Sequence, residues 1–222
     1  MTPPALPKSR RPRAPRLEGR TLNETLPDDM LHEAESYDSL HLEQTDLAGI
    51  DVADCAVIDT VCERVILRDS RLARARWRDV RFLACDLANA DWYKTSVRRV
   101  EFLGCRMTGF KAPEGGFEDT TFHECQARLA QFRFATFKTV RFESCDLADA
   151  DFQGADLSGV VFAGCDLSRA ELSGARLVGA DLRGAQIEGL RVGPPELRGA
   201  IVDPLQALEL VRLLGVIIAP QE

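Results

Sequence analysis

The chain has 222 residues and a formal net charge of −7; 45% of its residues are hydrophobic and 28% are charged, which is ordinary for a soluble protein. No run of about 18 apolar residues occurs, so a membrane-spanning helix is not expected.

Residues 1–20 contain six basic residues, one acidic residue and five prolines. They lack the apolar segment of a signal peptide, so we expect a disordered basic tail and a cytoplasmic protein. In that compartment the seven cysteines are expected to be free thiols. Charge is banded along the remaining chain: residues 23–63 carry twelve acids and no Lys or Arg, whereas residues 64–111 carry twelve bases and five acids.

A large apolar residue returns at every fifth position from Leu42 to Val202, and thirty of these 33 central positions hold one. A second uncharged residue precedes each centre by two places. A helix repeats every 3.6 residues and a strand every two, so neither fits a period of five. Each pentapeptide is therefore predicted to form a short β-like side with two inward residues, followed by a corner. Glycine often falls at the second place after the centre, where a corner uses its backbone freedom.

A longer period of twenty residues gives the number of sides in one coil. It is carried by five phenylalanines, each followed three residues later by a cysteine: Phe82, Phe102, Phe122, Phe142 and Phe162. Four pentapeptides per coil place like residues above one another at about 4.8 Å, the spacing of paired strands. The sequence thus predicts an all-β, four-sided solenoid of about eight coils, with a phenylalanine ladder along its axis.

Runs such as ADLSG at 155–159, ARLVG at 175–179 and ADLRG at 180–184 resemble the pentapeptide-repeat family. This resemblance implies a right-handed quadrilateral β-helix. The expected organisation is a basic tail at 1–20, an N-terminal cap at 21–37, the β-helix at 38–202, and a C-terminal helix and tail at 203–222.

The C-terminal segment leaves the fivefold pattern and is predicted to be a helix. Asp203 is a good N-cap, Gln206 completes a capping box and Gly215 ends the helix. One apolar face is expected to cover the last coil: Leu205, Leu208, Val211 and Leu214. A second set of apolar residues is not needed to cover the coil, and we expect it to contact the same helix of a second copy. The alternative is that this set folds back onto the solenoid wall. That set comprises Leu210, Leu213, Val216, Ile217 and Ile218.

This ending resembles the C-terminal helix of the Qnr and MfpA class of pentapeptide-repeat proteins, which dimerise end to end through it. Those proteins bind DNA gyrase and protect it from fluoroquinolones, with an acidic rod that imitates duplex DNA. The resemblance implies a homodimer and a protein partner, of which DNA gyrase is the most specific candidate. The unbroken register departs from the Qnr members that project long loops.

Two sets of charged residues are candidate binding surfaces. An acidic face is predicted from Glu143, Asp146, Asp149, Asp151, Asp156, Asp166 and Glu171. It could imitate the charge of DNA, or the carboxylates could only keep the rod soluble. A basic band is predicted from Arg74, Arg76, Arg78, Lys94, Arg98 and Arg99. It could bind an anionic surface, pair with residues 23–63 of another molecule, or only be solvated.

Two apolar residues at outward positions, Leu129 and Phe134, hint at a further protein contact. The same holds for Leu83 and Leu103.

No catalytic, cofactor or metal site is predicted. The five cysteines that follow the ladder could bind a soft metal or form disulfides, but they occupy a small inward place and are interpreted as packed thiols. The three histidines share no ligand spacing: His32, His41 and His123. We therefore expect a non-enzymatic solenoid that binds a protein, either as a DNA-mimicking modulator of gyrase or as a scaffold or regulatory adaptor unrelated to gyrase. Neither direct nucleic-acid binding nor a small-molecule substrate is expected.

Overall fold

The computed structural model describes residues 11–17, 22, 26, 31–213, 215–217 and 219. Parallel strands of three to eight residues are followed by one α-helix. They are β1 (Ser36–Asp38), β2 (His41–Glu43), β3 (Ala56–Glu63), β4 (Arg76–Leu83), β5 (Ser96–Leu103), β6 (Gly116–His123), β7 (Thr136–Glu143), β8 (Val161–Ala163) and α1 (Pro204–Leu213). Within these residues no helix is long and apolar enough to cross a membrane.

Every strand pairs in parallel with residues twenty positions further along the chain. The main path β1-β3-β4-β5-β6-β7-β8 contains six pairings, and single bridges continue the same register as far as Asp181 with Ile201. This confirms the predicted solenoid with four pentapeptides per coil. We number the four walls from the coil that begins at Leu42. In that coil the centre of the first wall is Leu42, that of the second is Leu47, that of the third is Val52 and that of the fourth is Val57.

The corners explain why the chain can turn after each pentapeptide. The second residue after the centre has a positive φ from Ala34 onwards, as in Gly154 (67°) and Asp149 (60°). Glycine adopts this left-handed conformation without steric cost, and Asp and Asn tolerate it better than most residues. The predicted corner place is therefore confirmed, and most of its non-glycine residues are polar.

The core is a set of stacked rings along the axis. Phe102 lies 4.9 Å from Phe82 and 4.7 Å from Phe122, measured between ring centroids, and each pair is stacked with nearly parallel planes. At one small centre the inward neighbour is large: Phe110 precedes Ala112, and both are fully buried. Such an exchange keeps the enclosed volume, which a close-packed interior requires.

The C-terminal helix covers the open end of the last coil, and its capping box is confirmed. The Asp203 N–H donates to the Gln206 Oε1 atom at 3.0 Å, and the Gln206 N–H donates to the Asp203 Oδ1 atom at 3.0 Å. The Gln206 side-chain amide also donates to the carbonyls of Leu182 at 2.6 Å and Ala185 at 2.8 Å. The Leu182 carbonyl also accepts the Ala185 N–H at 3.0 Å, so Gln206 supplies the donor that a further coil would have given to the Ala185 carbonyl.

The predicted faces of this helix are wrong. Leu210, expected in a contact with a second copy, is 7% exposed and packs into the core one turn after Gln206. Leu205 and Leu208, expected to cover the coil, are 77% and 48% exposed. Val216 and Ile217 are exposed as expected, whereas the side chains of Leu213, Leu214 and Ile218 lie outside the described residues. The helix is rotated so that Gln206 faces the carbonyls of Leu182 and Ala185, and Leu210 follows it at i+4.

The N-terminal segment also departs from expectation in part. Residues 11–17 have no regular secondary structure but contact the solenoid, with Pro15 buried, rather than forming part of a disordered tail. Residues 1–10 and 18–20 are outside the described residues. The first strand, β1, begins at Ser36, two residues before the expected start of the β-helix.

Candidate functional site

Side chains fill the interior of the described solenoid. The enclosed space near its N-terminal end is about 10 Å³, lined by residues that include Leu31, Leu40 and Trp77, and is no larger than one water molecule. Among the described residues, no group of three or more His, Cys, Asp or Glu could hold a metal ion. Any functional site is therefore sought on the outer surface.

The column of five cysteines has a structural role in the described coils. All seven cysteines of the chain are free and buried. Each thiol of the column approaches backbone carbonyls: the Cys85 Sγ atom lies 3.3 Å from the Cys62 carbonyl oxygen, and Cys125 repeats this with Phe102 at 3.4 Å. Burial raises the pKa of Cys55 to about 11, and burial also raises the pKa of Cys62. A raised pKa disfavours the thiolate, so Cys55 and Cys62, which lie outside the column, are poor nucleophiles and poor metal ligands.

The predicted acidic face is not a single face. Asp146 and Asp166 lie one above the other on the second wall, and Asp151 and Glu171 lie on the third. Asp156 lies on the fourth wall, so the carboxylates form a belt around the rod rather than a strip along it.

Most of these carboxylates already have a role within the fold. The Asp146 Oδ1 atom accepts the Ala148 N–H at 3.1 Å, and the Asp166 Oδ1 atom accepts the Ser168 N–H at 2.8 Å. The same bond recurs at the three other members that immediately precede a centre, Asp151, Asp156 and Glu171. Asp and Asn side chains commonly cap turns in this way, so the recurrence of Asp at this place has a local cause.

Five members of the acidic belt are paired with arginines: Glu143, Asp146, Asp149, Asp151 and Glu171. Asp149 accepts two hydrogen bonds from Arg169, both at 2.8 Å, and this lowers the pKa of Asp149. Glu143 accepts one from Arg141 at 2.7 Å.

The predicted basic band is largely paired with acids on neighbouring coils. Arg74 donates two hydrogen bonds to Asp54, at 2.8 and 2.6 Å, and Lys94 lies 3.3 Å from a Glu114 oxygen. Arg78 and Arg98 lie within 4 Å of the carboxylates of Asp79 and Glu118. Arg99 is buried and paired with Asp79, so its place in a surface band is wrong. The remaining member, Arg76, is exposed.

Leu129 and Phe134 form what we call the corner patch. Each is at a left-handed corner, with φ of 58° and 57°, and their side chains are 55% and 62% exposed. They stand at the two edges of the third wall on the same coil. The Phe134 ring lies over Gly154 so closely that a Cβ atom there would be 2.5 Å from its Cδ1 atom.

A groove of about 370 Å³ adjoins the corner patch on the third wall. Its lining combines Leu129 with polar and charged side chains of four successive coils: Asn89, Lys111, Gln131, Arg133, Asp149 and Asp151. An apolar edge beside a mixed polar surface is the composition of protein-binding sites.

A second surface was not predicted from the sequence. Asp59, Asp79, Arg99 and Asp119 occupy one corner on successive coils, and all four are buried. The signal that could have found it is the recurrence of three acids at positions twenty residues apart in a chain that also has a basic N-terminus.

The family model described as "Pentapeptide repeat region" matches residues 75–143 and 95–172. It coincides with the central coils, in which both the fivefold period and the twenty-residue strand register are complete. The chain is a pentapeptide-repeat protein.

Solved structures of other proteins are similar to this chain. HetL from the cyanobacterium Nostoc, a pentapeptide repeat protein involved in heterocyst differentiation regulation, is 20% identical, with a TM-score of 0.49; the match covers 77% of this chain and 90% of HetL. Full-length QnrB1, a plasmid-mediated fluoroquinolone resistance protein, is 19% identical with a TM-score of 0.33 over 83% of this chain and 99% of QnrB1. These likenesses concern the fold alone. A comparison with curated protein sequences finds no significant match.

Proposed function

We propose that the chain is a non-enzymatic protein-binding solenoid whose principal contact is the corner patch with the adjoining groove. The observation that carries this proposal is the presence of two large apolar side chains at exposed left-handed corners. Among the described corner residues with a positive φ, Leu129 and Phe134 are the only large apolar ones.

Both positions lower the stability of the free chain. A left-handed conformation costs a residue with a Cβ atom roughly 1–2 kcal/mol, and glycine avoids this cost. The next coil has Gly154 at the same corner as Phe134, so glycine suits this place in the fold. Strained residues that do not serve packing are concentrated at functional sites, and exposed apolar groups mark contacts with proteins.

The partner that fits this surface is a folded protein that presents an apolar centre and charges of both signs. The groove contains Lys111, an ion pair of Arg133 with Asp151 at 2.5 Å, and Asp149, which is paired with Arg169, on a wall held rigid by parallel pairing. A rigid surface binds with little loss of conformational entropy. This supports a scaffold or regulatory adaptor.

Photo-crosslinking tests this contact. p-Benzoylphenylalanine placed at Phe134 conserves an aromatic ring and is expected to cross-link one protein in an extract of the source cells. The same group at Glu124, an exposed corner of the same coil, is the matched control. Identical products from both positions, or none from position 134, would contradict the proposal.

DNA mimicry with DNA gyrase as the partner is the second candidate. It is favoured by the stacking of Asp146 with Asp166 and of Asp151 with Glu171, which repeats negative charge at the coil spacing. Purified gyrase in a supercoiling assay, with and without ciprofloxacin, tests it. Replacing Asp146, Asp151 and Asp166 with Asn removes charge but keeps the oxygen that accepts the turn hydrogen bond.

Inhibition or protection that is lost in this triple variant would support mimicry. The matched control is Asp46→Asn with Asp86→Asn, which alters the same turn place in earlier coils. An absence of effect at micromolar protein would leave the adaptor as the function.

We also propose a homodimer formed through the C-terminal helix, in which Val216 and Ile217 are contacts as expected and Leu205 and Leu208 replace Leu210. The exposed apolar residues at this end of the rod are Leu205, Leu208, Val216 and Ile217. A second copy would bury the same surface of its own in a two-fold contact. The seven free thiols fit a reducing compartment, and we propose a cytoplasmic location on that basis.

A further inference from the structure

The N-terminal segment 11–17, which we call the strap, crosses the corner between the fourth and first walls. The Arg16 N–H donates to the Asp79 Oδ1 atom at 3.1 Å, and the Arg13 Nε atom lies 3.6 Å from an Asp119 carboxylate oxygen. Between these two contacts, Pro15 is buried. The strap thus has one backbone contact, one charged contact and one apolar contact with a surface that is more than sixty residues away in the chain.

The corner beneath the strap differs from the other corners of the solenoid. Asp59, Asp79, Arg99 and Asp119 form what we call the strap column, with one residue on each of four successive coils. They are the only left-handed corner side chains that are buried among the described residues; the others are half-buried or exposed. A corner normally projects into solvent, and the burial of this one is measured with the strap lying over Asp79 and Asp119.

The charges of the two surfaces are complementary. The strap column has three carboxylates and one guanidinium, and Arg99 is directed at Asp79 through hydrogen bonds of 2.6 and 2.5 Å. The strap has three arginines and no acid. Burial acts to raise the pKa of Asp79, but the hydrogen bonds from Arg99 and from the Arg16 N–H outweigh it and lower the pKa below 3.8. Asp79 is therefore an anion at neutral pH and attracts a basic occupant.

The conformation of the strap suits binding without a folded structure of its own. Pro12 and Pro15 fix the backbone φ near −65°, which favours an extended chain and lowers the entropy lost on binding. Proline-rich segments are recognised by many binding domains for this reason.

We propose that the strap column is a binding site for an extended polypeptide segment rich in arginine and proline, and that residues 11–17 occupy it within the same chain. A partner protein that presents such a segment must displace the strap. This site is on a different corner from the corner patch and does not depend on the function proposed above.

The strap competes with a free segment for the strap column, and its attachment to the same chain determines how strongly it competes. A segment attached by a short linker has an effective concentration on the order of millimolar. A free segment that binds the empty column with a Kd of about 100 µM would consequently bind the intact chain about tenfold or more weakly. The strap column would then become able to bind a partner when the strap is released, without any new contact being needed.

The test uses the full-length chain and a fluorescent peptide of residues 11–17, acetylated and amidated so that no terminal charge is added. In the strap-reversed chain, Arg13→Glu and Arg16→Glu weaken the strap without altering the solenoid. Fluorescence anisotropy should show about tenfold tighter binding of the peptide to this chain than to the wild type.

Two controls separate recognition from general attraction of charges. N-methylation of Arg16 in the peptide removes the N–H that bonds Asp79 but keeps every charge, and it should reduce binding about tenfold or more. N-methylation of Ala14 should have less effect. In the strap-reversed chain, Asp119→Asn should weaken binding, whereas Asp46→Asn on the second wall should not.

Hydrogen exchange on the wild-type chain gives a second measurement that requires no variant to fold. Deuterium uptake by residues 11–17 should be slow and should increase severalfold when unlabelled peptide is added in excess. Equal peptide binding by both chains, tolerance of the Arg16 N-methyl group, or rapid uptake without peptide would each overturn the proposal.

Discussion

Replacing Phe122 with Ala removes one ring from the middle of the axial ladder. This ring is 1% exposed and stacks on Phe102 at 4.7 Å and on Phe142 at 4.5 Å between centroids. Loss of a fully buried phenyl group costs about 2–3 kcal/mol in transfer free energy. Each lost stacked pair adds about 0.5–1.5 kcal/mol. We expect the free energy of unfolding to fall by about 3–5 kcal/mol, which is the usual range for this change in a core.

Guanidinium unfolding followed by circular dichroism measures this loss, and Phe134→Ala is the matched control. The two phenylalanines differ in environment, since Phe134 is 62% exposed. The control should change the free energy of unfolding by less than about 0.5 kcal/mol. A loss below about 1 kcal/mol for Phe122→Ala, or equal losses for both variants, would refute the stacked ladder.

Further predictions concern the thiols, the helix and acid unfolding. Alkylating reagents should label the buried cysteine column slowly until the protein unfolds; rapid labelling of the native protein would contradict its packing. Leu205→Asp with Leu208→Asp should convert a dimer into a 24.6 kDa monomer in sedimentation while the β-rich spectrum is kept; a persistent dimer would exclude this interface. In contrast, Leu210→Ala should destabilise the chain by about 2–4 kcal/mol in guanidinium unfolding, because Leu210 belongs to the core. The lowered pKa of Asp79 stabilises the fold above about pH 4, and this contribution is lost as the pH falls below 3.8. Asp79→Leu with Arg99→Met should therefore reduce the pH dependence of unfolding in that range, and an unchanged slope would exclude the pair as its source.

The solenoid could be predicted from the sequence because each of its determinants is local and repeated. The five-residue period identifies the inward residues and the corners. The twenty-residue period identifies which residues of successive coils stack on one another. The capping box at Asp203 and Gln206 was predictable for the same reason, since both partners lie within one helical turn.

The orientation of the C-terminal helix was not predictable from its apolar pattern. Counting apolar residues selects the face with Leu205 and Leu208, whereas the structure selects the face with Gln206. The deciding factor is the carbonyl of Ala185, which has no next coil to supply a donor and accepts the Gln206 side-chain amide instead.

The positions of the charged residues were predictable in part. Asp146 and Asp166 differ by twenty and share a wall, whereas Asp151 and Asp156 are offset by one and two sides, so the sequence already contains the belt. The strap was not predictable from local composition, because residues 11–17 taken alone are typical of disorder. Their contact with Asp79 and Asp119 is distant in the chain, and no local pattern encodes it.

The central claim is that the corner patch lowers the stability of the free chain and forms the contact with a partner protein. One titration tests this claim most directly. The protein cross-linked at position 134 is titrated calorimetrically with the wild type and with Leu129→Gly plus Phe134→Gly. We predict at least about tenfold weaker binding by the double variant, with a free energy of unfolding that is unchanged or raised by up to about 1 kcal/mol, because glycine relieves the left-handed corners. Equal affinity of the two chains for that protein would contradict the account.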